Sequence, residues 1–279
     1  MALDQIDVDE YDAQMTFLEH LEALRWHLIR SIIAVVVGAI IAFIKGPFIF
    51  DTILLGPTRN NFWSFSKLCE LGEYLGRSET LCIKDMEFVV KTVNIQEQFY
   101  QHFMIAAIGG LILAMPYMLY ELYRFVKPAL HNTEKKYSGL VIGFASLLFF
   151  SGILFGYFIL TPISVNFLGT YTLSDSIVRE FTVASVVGFI SLLTLGAGVI
   201  FELPIVIYFL AKIGILTAEN MKAYRKVAVV VILILSAVIT PPDVTSQIIL
   251  SFPILLLYEI GIVIARRVAP KIPTELPDT

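Results

Sequence analysis

The sequence predicts an all-α, polytopic membrane protein with six transmembrane helices, and three observations predict it. Of 279 residues, 57% are apolar and only 16% charged, with a mean hydropathy of +0.79; a soluble domain keeps roughly 25% charged residues. Six apolar stretches reach or approach the ~20 residues that cross a ~30 Å hydrocarbon core as a helix. No run of alternating ten-residue segments separated by turns appears, so a barrel is not expected. A soluble enzyme is thereby excluded, and lipid is the first partner. The net charge of −4 leaves no basic excess to offset phosphates, which excludes nucleic acid. The chain reads as one membrane domain over residues 1–267, with an external loop at about 45–98, followed by a short tail at 268–279.

The elements follow in order. Asp4, Asp7, Asp9, Glu10 and Asp12 precede any hydrophobic run; this acidic start lacks the basic lead of a secretory signal and is expected to be solvated. The first span is expected at 24–43, the second at 99–123 with Pro116 inside it, and the third at 139–160. The fourth is expected at 181–211 with Pro204 inside, the fifth at 227–240, and the sixth at 244–265 with Pro253 inside. The fifth has only 14 residues, about 21 Å of helix, well short of the core. Pro241 and Pro242 follow at once; neither offers an N–H, and each ring clashes with the preceding turn. With Asp243 they form a turn too short to be a domain, so the fifth and sixth spans are expected to make a tight hairpin whose tip lies below the outer surface.

Lys and Arg set the orientation. With both termini in the cytoplasm, the inner side holds 13 basic residues and the outer side 7, six of which lie in the one long loop, where the positive-inside rule is weak. The short outer connections hold only Arg179. The outer loop contains both cysteines, Cys69 and Cys82, which on an oxidising side either form a disulfide or remain two thiols.

Glu202 is the most informative polar residue. It lies ten positions before Lys212, about 15 Å deep by helix rise, where a carboxylate costs at least ~2.5 kcal/mol. No Lys or Arg accompanies it within the third to sixth spans, so it is expected to be neutral or hydrogen-bonded. It marks either a functional site or an acid satisfied inside the bundle. Glu259, seven residues before Arg266, reads as solvated near the inner interface. Thr240, Thr245, Ser246 and Gln247 gather at the hairpin tip, facing water or a partner helix. Gly152-x-x-x-Gly156 would allow close helix packing, though the pattern is common by chance. Catalytic chemistry is not expected: there is no phosphate loop and no H-E-x-x-H, and His20, His27, His102 and His131 have no metal-ligand spacing. No cofactor is called for.

Four motifs then coincide in order. They are His20-Leu21-Glu22-Ala23-Leu24-Arg25 before the first span; Phe125-Val126-Lys127-Pro128-Ala129-Leu130 running to Glu134-Lys135-Lys136; Phe201-Glu202-Leu203-Pro204; and Thr240-Pro241-Pro242-Asp243-Val244 with Ser246-Gln247. Together they resemble TatC, the multispanning subunit of the twin-arginine protein translocase, over about residues 17–267, with the long outer loop least similar.

The resemblance implies six spans in a concave, glove-like bundle with short fifth and sixth helices, set in the cell inner membrane with both ends cytoplasmic. It implies a receptor and scaffold that binds the twin-arginine signal peptides of folded cargo on the cytoplasmic face. Such a subunit recruits single-span partners of the TatA/TatB type for export driven by the proton-motive force, and self-associates in a larger complex. Glu134 and Phe125 are the implied signal-peptide contacts, with Arg25 in the first motif. Two guanidinium groups call for carboxylates that can pair with them bidentately. Where many relatives carry a second acid, this chain has Ala23; Glu19, one turn earlier near the same face, or the adjacent Glu22 is left to supply it. Glu202, Gln247 and Thr240 are the implied intramembrane polar site for a partner helix, beside the external motif Pro241, Pro242 and Asp243. The competing reading is a proton-coupled small-molecule or ion transporter using Glu202; against it, the first three spans show no counterpart of the features in the last three.

Overall fold

The computed structural model describes residues 17–59, 61–74, 89–126, 138–174, 180–240 and 243–268. Among the described residues six helical spans are present, five of them long and apolar enough by themselves to cross a membrane. The first, Phe17–Ile44, starts a turn or more before its apolar stretch, because backbone hydrogen bonding carries a helix through polar residues outside the hydrocarbon. The second, Glu97–Val126, passes through Pro116 unbroken. The third begins as Ser138–Phe155, widens through a π turn at Gly156–Leu160 and continues as Thr161–Thr170. Pro162 has no N–H for the carbonyl four residues back, and the wider turn absorbs the misfit, with the Thr161 hydroxyl donating to Gly156 O at 2.8 Å.

The fourth span is two helices, Val183–Phe201 and Leu203–Lys212, broken at Glu202. After Lys212, Gly214 takes a φ of +79° and closes the helix end. A six-residue helix, Ala218–Ala223, capped by the Thr217 side chain, leads into the fifth span, Arg225–Ile239. That span has 15 residues, roughly 22 Å of helix, and is short as expected. The sixth is not short: Val244–Val268 runs for 25 residues. Its last turn includes Arg266 and Arg267, whose long stems let a helix continue past the apolar stretch.

Packing follows small residues. A Cβ at Gly110 would lie 2.4 Å from Ala39 N, so the first and second spans touch backbone to backbone. The Gly152/Gly156 pair does the same for the third and fourth, where added Cβ atoms would meet Ala197 O at 2.7 Å and Leu193 O at 2.8 Å. The first span packs chiefly on the second and the fifth on the sixth, so these two stand at the edges of an open bundle. Ile32, Val36 and Ile40 of the first span and Val230 and Ile234 of the fifth stay exposed to the lipid side.

The end opposite Arg124, Lys212 and Arg266 carries a cap. After the first span the chain turns through Ile49–Leu54 and Gly56–Thr58 into the helix Trp63–Tyr74. Further on, β1 (Val90–Lys91) pairs in parallel with β2 (Phe181–Thr182), joining the loop before the second span to the start of the fourth. Lys91 and Glu180 form an ion pair beside this ladder.

Candidate functional site

At the basic end the first two spans bring one carboxylate and three partners together. Tyr117, Glu121 and Phe125 are spaced by four on the second span, so they form one stripe facing the first. Glu121 is 1% exposed. His27 donates from Nδ1 to Glu121 Oε2 at 2.5 Å, Arg30 Nη1 lies 3.9 Å from the same oxygen, and the Tyr117 hydroxyl also donates to this carboxylate. Phe125 is half-buried, its ring edge-on to the His27 imidazole with centroids 6.1 Å apart. Glu22 and Arg25 are exposed on the first span. Glu134 lies outside the described residues, as does the side chain of Glu19.

The second polar site is the break in the fourth span. Glu202 takes φ −76°, ψ −4°, ending one helix and opening the next, and Pro204 fixes the second helix's first turn. Its backbone groups are used, with Ile205 N and Val206 N donating to Glu202 O at 2.9 and 3.1 Å. Its side chain is 7% exposed, and neither carboxylate oxygen has a hydrogen-bond partner among the described residues. The neighbouring residues Ile200 and Leu203 belong to a hydrophobic cluster with Phe155 and Ala197. Gln247 is not its partner: the Gln247 amide donates to Leu233 O at 3.0 Å, tying the sixth span back to the fifth.

At the hairpin tip Thr240 is buried and donates to Ser236 O at 2.8 Å. Asp243 is buried too and caps the sixth span, Oδ2 accepting from Ser246 N at 2.6 Å. The Ser246 hydroxyl meets that of Ser164 on the third span at 2.9 Å. Pro241 and Pro242 lie outside the described residues. Glu259 is not simply solvated: Arg225 clasps it bidentately, Nε to Oε1 at 2.7 Å and Nη2 to Oε2 at 2.9 Å, with both side chains about half exposed.

In the cap, Glu97 was unremarked in the sequence but is 6% exposed and accepts from three backbone N–H groups. Oε2 takes Val93 at 2.8 Å and Asn94 at 3.3 Å, and Oε1 takes Ala184 at 2.8 Å on the first turn of the fourth span. Beside it, a cavity of about 400 Å³ is lined by Phe50, Gln98, Gln101, His102 and Val183 among others. Cys69 is half-buried on the cap helix and disulfide-bonded, while Cys82 lies outside the described residues. No group of three metal-ligating side chains occurs among the described residues. His27, Glu121 and Glu97 share a missed signal: each is an ionisable side chain set within or just at the edge of a long apolar helix.

Comparison with known proteins assigns this architecture. The family model described as "Sec-independent protein translocase protein (TatC)" matches residues 19–253. A Sec-independent protein translocase protein TatC of Blattabacterium sp. subsp. Periplaneta americana is 37% identical over 259 residues, covering 92% of this chain and 97% of that protein. Its counterpart in Aquifex aeolicus is 32% identical over 259 residues, with the same coverage of 92% and 97%. Two crystal structures of a twin-arginine translocase receptor, TatC, superpose with TM-scores of 0.67 and 0.70 at 33% and 32% identity; each covers 88% of this chain, and 97% and 99% of the solved chain. The helical bundle, the family model and these relatives agree, and the chain belongs to the TatC family of Sec-independent protein translocase proteins.

Proposed function

We propose that this protein is the receptor and scaffold of a twin-arginine translocase, with the basic end of the bundle and both termini in the cytoplasm. Twin-arginine signal peptides of folded cargo bind at that end, where Phe125 offers a half-exposed ring and Glu134, with Glu19 or Glu22, offers carboxylates to the paired guanidinium groups. Single-span partner subunits dock at the intramembrane polar site of Glu202, Thr240 and Gln247, and the proton-motive force drives export. The observation that carries the reading is the likeness over 88% of the chain to solved twin-arginine translocase receptors. Two features support it: a basic end that carries Arg25 on the first span and Arg124 next to Phe125 on the second, and a buried carboxylate at Glu202 whose oxygens have no partner among the described residues.

The test is site-specific cross-linking from positions 125 and 134 to a twin-arginine signal peptide in membranes. Cross-links form with the natural peptide and vanish when both of its arginines are replaced by alanine; persistence would sink the receptor reading. Glu134→Ala lowers signal-peptide affinity by roughly ten- to a hundredfold, the loss of one charge-assisted pair. Unchanged affinity in that variant removes Glu134 from the site.

A further inference from the structure

The geometry points to Glu121 as the residue that positions Phe125 for the signal peptide, acting through His27. The inference rests on the reading of Phe125 as a peptide contact and adds what holds its ring in place. Glu121 is too deeply buried to meet a peptide itself. It instead gathers the groups around it: His27 at 2.5 Å and Arg30 at 3.9 Å from the first span, and Tyr117 one turn away on its own. The hydrogen bond from Nδ1 fixes the plane of the imidazole, since a ring anchored at one nitrogen has no free rotation about its side-chain bonds. That plane then meets the Phe125 ring at 68°, edge to face, an arrangement aromatic pairs favour. One side of Phe125 thus meets a ring that Glu121 orients, and the residue stays half exposed at the basic end, within reach of a peptide side chain.

The order of contacts matters. Glu121 and Phe125 lie one turn apart on the same stripe of one helix, and a side-chain link between them passes through His27 of the neighbouring span. Any change in how the first span sits on the second therefore reaches Phe125 through His27. Glu121 is in this sense a positioning residue, and its removal should loosen the receptor face rather than delete a contact from it.

The experiment measures the affinity of a fluorescent twin-arginine signal peptide for the full-length protein in lipid nanodiscs, at equal amounts of folded protein. Glu121→Ala is expected to weaken binding about three- to tenfold, the range of coupling between residues in one network. Glu121→Gln keeps an oxygen that accepts from His27 and should stay within about twofold. The deciding arm is the double variant: in a Phe125→Ala background, Glu121→Ala should add almost nothing, because its effect runs through that ring. A purely structural role would give additive losses and overturn the inference, as would unchanged affinity in Glu121→Ala. Should Glu121→Ala fail to insert, His27→Ala tests the same link, with the same non-additivity expected and additivity refuting it. If Phe125→Ala alone leaves affinity untouched, Phe125 is not a peptide contact, and it is that reading which fails.

Discussion

Glu97 and Glu202 are both sunk into the bundle, 6% and 7% exposed, yet their surroundings are opposite. Every side of the Glu97 carboxylate is used, with three backbone N–H groups from two separate segments aimed at its two oxygens. At Glu202 no described residue addresses either oxygen. A buried polar group without a partner is costly, and a protein keeps one where something other than its own fold uses it. The difference separates a carboxylate that holds the cap together from one whose oxygens no described residue uses, as the proposed docking of a partner helix requires.

Glutamine is the substitution that breaks this comparison most directly, because it keeps the volume of glutamate and loses only the acceptor-only character. The largest effect is expected at Glu202. Glu202→Lys places a new charge at least ~2.5 kcal/mol uphill in the hydrocarbon and should abolish transport of a folded twin-arginine cargo. Glu202→Ala should reduce it strongly, and Glu202→Gln should retain most of it, since an amide donates and accepts as a neutral acid does. Transport at equal membrane abundance reads the three. A glutamine variant as inactive as the lysine variant would mean that the ionising carboxyl itself is needed, and the proton-site reading would gain the ground that polar docking lost.

The order reverses at Glu97. There the alanine and glutamine variants should behave alike, because one glutamine oxygen serves Ala184 or the Val93–Asn94 pair but the amide nitrogen then faces N–H groups on the other side. Losing hydrogen bonds to a charged acceptor should open the cap, read as a roughly ten- to hundredfold faster amide exchange at Val93 and Ala184. Exchange in Glu97→Gln that matches the wild type would show that the carboxylate is not what pins the fourth span.

The sequence makes this contrast half visible. Glu202 stands out because apolar residues surround it for many positions on both sides, and its depth can be counted from Lys212. The spans are legible for the same reason, and the fifth is short because the Pro-Pro pair ends it. Glu97 is invisible by such counting: it sits at the first residue of a helix, where an acid is ordinary, and its partner Ala184 is 87 residues away. The two-residue ladder of Val90–Lys91 with Phe181–Thr182 is too short to leave a periodic signal. His27 and Arg30 read as interfacial charges, and only the contact between the first two spans turns them onto Glu121. The few residues the sixth span gains past Ala265 follow from backbone hydrogen bonding, which hydropathy does not register.

Glu259 sharpens the contrast from the weak side. It too lies on a spanning helix, and Arg225 engages it with ideal two-point geometry, but both groups are about half exposed at the basic end. Water competes for each partner there, and ordering two long side chains costs entropy, so an exposed pair contributes about 0.2–1 kcal/mol. Glu259→Gln should therefore lower the melting temperature in detergent only slightly, leave transport intact, and lose even that small effect at high salt, where the pair is already screened. A pair that joined the fifth and sixth spans as firmly as Glu97 joins the cap would behave otherwise: its loss would cost more than about 2 kcal/mol, several times what exposed pairs contribute. That result would place the hold on the hairpin at its basic end. The small effect places it instead in the buried contacts nearer the tip, where Gln247 reaches Leu233 O and Ser246 meets Ser164.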